Sequence, residues 1–193
     1  MEWTKFLILS ILISFYGCNN YYINEKGAYR PKKPNFEFSK SPYLLKKVDL
    51  IDTNSVYVAE VKFDYKKPYV EEHFIRFFSN GRFFTGTPEV FETKLGLNEF
   101  NNYNKFGSIG YYRMQNNRLE IESYKVTLGG ARGNTGYYAK YYGYIRNDSI
   151  FLFYDLSNKN SEMERITYPI PDEKNCKIYV RRKIEGLTGA PDW

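Results

Sequence analysis

One histidine, His73, and two cysteines, Cys18 and Cys176, are all that this chain of 193 residues offers of the two residue types on which much site chemistry depends. That scarcity excludes a good deal. A zinc site built from Cys and His needs three or four ligands at short spacing, and no such cluster occurs, so neither a metal nor another cofactor is expected. A thiol nucleophile needs a base beside it, and the only pairing on offer joins His73 to Cys176 from separate strand-like segments. There is no glycine loop ending in Lys-Ser or Lys-Thr, the ending that grips phosphate and magnesium in a P-loop, and no nucleophile elbow. If Cys18 is modified, Cys176 has no partner for a disulfide, and the alternation of Cys176-Lys177-Ile178-Tyr179-Val180 makes it a buried thiol in a strand.

Aromatic residues, in contrast, are abundant: 20 tyrosines and 15 phenylalanines. They fall in short runs broken by turn residues, the punctuation of strands. Val56 to Tyr65 alternates with a period of two, which puts one face in a core and one in water. Residues 73–78 lead through Ser79-Asn80-Gly81 into 82–84, and Asn-Gly tolerates the positive φ angles of a type I′ hairpin turn. The pattern repeats as 109–114 and 118–122 around Gln115-Asn116-Asn117, and as 137–145 and 150–154 around Asn147-Asp148. Arg165 to Tyr168 and Lys177 to Ile184 close the set. About nine or ten strands in sequential hairpins read as an all-β antiparallel meander, either a barrel or a β-sandwich, and a barrel leaves no edge strand open to aggregation. Helix is scarce. The best candidate is Pro88 to Leu95, with Thr87 as cap, Pro88 and Glu89 in the first turn and Gly96 as the stop.

The N-terminus carries an address. Lys5, the apolar run Phe6 to Ile13 and the small Gly17 describe a secretory signal peptide over residues 1–17, too short for a membrane span. The cysteine that follows makes Ser14-Phe15-Tyr16-Gly17-Cys18 resemble the lipobox of bacterial lipoproteins. That resemblance implies cleavage between Gly17 and Cys18, acylation of Cys18, and a location in the cell envelope, at the outer membrane of a diderm bacterium, with the membrane as first partner. Two or more acyl chains anchor stably where one does not. Residues 18–42, with Pro31, Lys32, Lys33, Pro34 and Pro42 and no sustained period, read as a lipidated flexible tether. Residues 43–185 are the β domain and 186–193 a C-terminal tail.

Taken together, the signal with its cysteine, the Pro/Lys tether, the hairpin Ile75-Arg76-Phe77-Phe78-Ser79-Asn80-Gly81-Arg82 and the later Gly143-Tyr144-Ile145-Arg146-Asn147-Asp148-Ser149-Ile150 resemble uncharacterised bacterial lipoproteins with lipocalin-like, or calycin-like, domains. The resemblance implies an address and a barrel, and it transfers no catalytic residue.

Charge and spacing supply a few candidate sites. The formal net charge is +6, spread along the chain, so solubility is its first consequence and an exported chain is not expected to bind nucleic acid. Gly129 to Gly136, with Arg132 at its centre, is either an anion cradle or a plain interstrand loop. Tyr137, Tyr138, Tyr141, Tyr142 and Tyr144 lie on both faces of one strand; inward ones such as Tyr137 and Tyr141 would line a cavity, outward ones would stack on a sugar or a protein, and all of them also serve as core and surface filling. Glu60 with Glu120 or Glu122 is the available carboxylate pair for glycosidase chemistry, although their alternation assigns them to wet strand faces. Two functions follow: a membrane-anchored module that binds a small apolar, glycan or protein ligand without turnover, or an envelope hydrolase with a dispersed carboxylate site. A hollow, lined barrel favours the first, convergent carboxylates the second.

Overall fold

The period-two segments are strands in the computed structural model, which describes residues 20–63, 69–87, 96–104, 107–130, 133–153, 176–189 and 191. The lipobox, the helix expected at 88–95, Arg132 and the strand expected at 165–168 lie outside the described residues. Two short strands, β1 (Tyr21–Ile23) and β2 (Tyr29–Pro31), form a ribbon of their own. The other eight are β3 (Ser55–Phe63), β4 (Tyr69–Phe77), β5 (Arg82–Gly86), β6 (Ile109–Gln115), β7 (Arg118–Gly130), β8 (Gly133–Arg146), β9 (Ser149–Phe153) and β10 (Cys176–Lys183). Each pairs antiparallel with the next, and β10 closes on β3 through Val180 opposite Val58 and Lys183 opposite Ser55. The result is a closed eight-stranded meander barrel of the lipocalin-like kind, and closure rules out the sandwich.

The turns at one end of the barrel are tight. Asn116 and Asn147 take positive φ values of 59° and 55°, which asparagine tolerates better than most residues. The 79–81 turn departs from the type I′ expectation. Only Gly81 has a positive φ, at 77°, and Phe78 N–H donates to Arg82 C=O at 2.9 Å, so the hairpin has a three-residue loop with glycine in the left-handed position. A Cβ on Gly81 would overlap the Tyr43 carbonyl. This end is sealed: Leu45 N–H donates to Ser79 C=O at 3.0 Å, Tyr43 packs edge-on against Tyr112 with centroids 5.9 Å apart, and the Tyr112 hydroxyl donates to Phe78 C=O at 2.7 Å. Tyr57, Phe77, Tyr112, Leu119, Ile145 and Ile150, each 2 % exposed or less, fill the barrel above the seal. Each stabilises the fold by about 1.5–3 kcal/mol of transfer free energy.

A second apolar cluster lies on the outside of the wall. Val56, Val58, Phe74, Phe84, Ile109, Tyr111 and Tyr124 point away from the axis and are covered by Tyr21, Phe36, Phe38 and Phe100. Residues 20–42 therefore do not form the flexible tether expected of them. They are a folded arm laid across the wall, because Phe36 (1 % exposed) and Phe38 (5 %) bury aromatic rings there and a single 3₁₀ turn, Phe38–Lys40, follows the surface without a period to betray it. Phe36 meets Tyr138 edge-on at 4.9 Å. The Glu122 carboxylate accepts the Glu37 and Phe38 N–H groups at 2.9 and 2.8 Å. The C-terminal tail is likewise packed: Arg76 donates to Thr188 C=O at 2.8 Å and Arg82 to Pro191 C=O. Arg76 also holds Phe100 C=O at the end of α1 (Leu97–Asn101). Gly96 precedes this helix, its N–H donating to Glu99 at 2.8 Å.

Candidate functional site

The opposite end of the barrel, where the β7–β8 hairpin turns at Gly130 and Gly133, encloses a cavity of about 450 Å³. That is within the range of about 300–1,000 Å³ typical of small-molecule sites. Alternation builds its wall. On β7 the inward side chains run Leu119, Ile121, Ser123, Lys125 from the filled end towards the mouth, one every ~7 Å. Ile75 on β4, Phe83 on β5, Leu152 on β9 and Tyr179 on β10 surround the deep part, while Val61, His73, Thr85 and Lys177 lie higher. The depth is apolar and the upper part polar.

The polar side chains described there include His73, Ser123, Lys125 and Lys177. Two lysines, Lys125 and Lys177, line the cavity. Lys177 Nζ lies 2.9 Å from His73 Nδ1. Burial, and then the neighbouring Lys177 and Lys125 charges, lower the His73 pKa to about 4, so at neutral pH the ring is uncharged and its Nδ1 accepts from the lysine. Burial also lowers the Lys125 pKa. Its ammonium sits 5.7 Å from the Tyr141 ring centroid, and no ion pair joins it among the described residues. The Ser123 hydroxyl, on a residue 2 % exposed, has no hydrogen-bond partner among the described residues and borders the same space. A desolvated ammonium and an unsatisfied hydroxyl one inward step apart on a strand both suit an anionic oxygen.

The sequence candidates fall around this cavity unevenly. Tyr141 is in its wall, opposite Ile121, and Tyr137 is 47 % exposed at the mouth, opposite Lys125. Tyr138 faces outward under the arm. The Gly129–Gly136 stretch is not a free loop: β7 continues to Gly130 and β8 begins at Gly133, with a bulge between Thr127 and Gly130. The carboxylate pair is not formed. Glu60 is exposed on β3, and β3 and β7 stand across the barrel from each other, four places apart in the closed order. Glu120 and Glu122 do point outward, yet they are 2 % and 3 % exposed, because the arm covers them; Glu120 pairs with Arg113, whose guanidinium lies 4.4 Å over the Phe38 ring. Cys176 is a half-buried thiol in no disulfide, on the outer face of β10, whereas its neighbour Lys177 turns inward to His73, so the Cys176–His73 pairing does not arise. No group of three His, Cys, Asp or Glu side chains converges among the described residues.

Sequence reading missed Ser123, Lys125 and Lys177. The signal was present: once Leu119 and Ile121 are placed inside, the same parity carries Ser123 and Lys125 inside if the strand runs on past Glu122. Comparison with known proteins adds nothing to this geometry, since no protein-family model, curated protein or solved structure matches the chain.

Proposed function

We propose that this protein is a membrane-anchored envelope lipoprotein whose barrel binds, without turnover, an elongated apolar molecule with an anionic head. The observation that carries this reading is the gradient along the cavity: Ile75, Phe83, Ile121, Leu152 and Tyr179 below, Ser123, Lys125 and Lys177 above. Apolar burial drives such a ligand inward at about 25 cal/mol per Å², and the lysines fix which end stays at the mouth. A carboxylate or phosphate there also relieves the cost of holding Lys125 away from water. Acylation of Cys18 supplies the anchor, on the strength of Gly17-Cys18 at the end of an apolar run of signal length.

The test is a titration of the purified protein with a fluorescent polyene fatty acid and with the corresponding alcohol. The acid is expected to bind at least tenfold tighter than the alcohol. Equal binding of the two, or binding of neither, would remove the reading.

A further inference from the structure

The arm is fastened at a definite height on the barrel, which bears on how an anchored molecule stands. Asn20 is held to β8 at both ends of its amide, Nδ2 donating to Gly136 C=O at 2.6 Å and Oδ1 accepting Gly136 N–H at 3.0 Å. Its own C=O accepts from the Tyr124 hydroxyl at 3.3 Å. Gly136 is required for this approach, since a Cβ there would overlap the Tyr124 hydroxyl and crowd Asn20 Oδ1. Gly136 pairs with Val126, one residue beyond Lys125 on the mouth side.

Chain length then decides between the two ends of the barrel. Cys18 is two residues before Asn20, and two extended residues reach ~7 Å whatever their conformation. The β7–β8 tip at Gly133 is three residues from Gly136, ~10 Å along the strand, whereas the sealed end near Arg118 is eight residues from Val126, ~26 Å along the strand and about 20 Å along the axis of a tilted barrel. The attachment point at Cys18 is therefore within reach of the mouth and not of the sealed end.

The mouth is also dressed for a lipid surface. Tyr22 (48 % exposed), Ile23 (56 %), Leu128 (59 %) and Tyr137 (47 %) stand exposed around it. The turn after β1 reaches the same end, as Asn24 Nδ2 donates to Asn104 C=O at 2.8 Å and Arg30, just beyond it, donates to Gly107, which borders the cavity. The sealed end exposes Leu44, Val48 and Leu50 too, so exposure alone does not choose; the two-residue reach of the anchor does. We propose that the open end of the barrel rests on the membrane that holds the anchor, and that the ligand passes directly between bilayer and cavity. This rests on the anchored-barrel reading above.

The experiment uses the full chain, purified from the membranes of expressing cells and returned to vesicles whose acyl chains carry bromine. With Cys176→Ser removing the other thiol, an environment-sensitive dye is attached through Leu128→Cys at the mouth or Val48→Cys, 82 % exposed at the sealed end. Incorporation of a labelled fatty acid at Cys18 is scored in parallel. The expected result is several-fold stronger quenching by the brominated chains at 128 than at 48. Equal quenching, or stronger quenching at 48, in protein that carries the acyl label overturns the orientation and leaves the anchor standing. Absence of the acyl label overturns both.

Discussion

Lys125→Met separates what the cavity does for a ligand from what it does for the fold. Methionine keeps the length and the apolar stem of lysine and deletes only the ammonium. A charge-assisted hydrogen bond between that ammonium and an anionic head contributes about 1.5–3 kcal/mol, and 1.4 kcal/mol is tenfold in affinity, so the variant is expected to bind the polyene fatty acid about 10- to 100-fold more weakly. The alcohol, which has no charge to lose, is expected to bind within about twofold of wild type. Stability moves on a different account. Burial disfavours the charged lysine, while the Tyr141 ring 5.7 Å away returns about 0.5–1 kcal/mol as a cation–π contact. The two act in opposite directions, so the unfolding free energy is expected to stay within about 1 kcal/mol of wild type or to rise. Fluorescence titration of both ligands against both proteins reads the first effect and equilibrium unfolding the second. An unchanged affinity for the acid, or an equal loss for acid and alcohol, would refute the assignment of Lys125 to the anionic head.

Two further expectations concern pH and the arm. His73 has a folded pKa near 4 against an ordinary 6.5, so between those values the unfolded chain binds a proton that the folded chain refuses; stability is complete above about pH 6.5 and falls as the pH drops towards 4, by about 1–2 kcal/mol after allowance for the half-open cavity. His73→Gln should remove that part of the decline in urea midpoints between pH 7 and 5, and parallel curves for the two proteins would show that the histidine is not its source. Glu122→Gln turns one of two buried acceptors into a donor facing the Glu37 or Phe38 N–H; a loss of about 2–3 kcal/mol, or roughly 5–10 °C in Tm, is expected, together with faster proteolysis within residues 20–42, and wild-type behaviour in both would mean that the carboxylate does not hold the arm.

The wall of the barrel was legible in the sequence because a closed antiparallel meander repeats one local rule. Tyr57, Ala59 and Val61 alternate with Val58 and Glu60, and Asn-Gly, Asn-Asn and Asn-Asp mark where the chain turns. What parity cannot say is whether an outward side chain is wet. Glu120 and Glu122 obey the alternation and are still buried, because a segment some 85 residues earlier lies over them. That arm has prolines, lysines and no period, and the hints of its packing are scattered apolar residues such as Tyr21, Phe36 and Phe38. The cavity was hidden for a related reason. Lys125 and Lys177 look like two more of many scattered cations until the full lengths of β7 and β10 are known, and whether the interior is hollow depends on the sizes of side chains from all the strands at once.

The clasp between Asn20 and Gly136 joins residues 116 apart in sequence, and that separation has a kinetic meaning. The arm is the first part of the domain to leave the ribosome, yet the surface that receives it is made by β6, β7 and β8, near the middle and end of the chain. It therefore cannot settle until most of the wall exists, and contacts of such long range are slow to form because the loop they close must be ordered first. In the interval Tyr111 and Tyr124 lack the cover that the arm gives them. On the anchored reading proposed above, the segment that waits is the one nearest Cys18, and the last step of folding would take place beside the lipid.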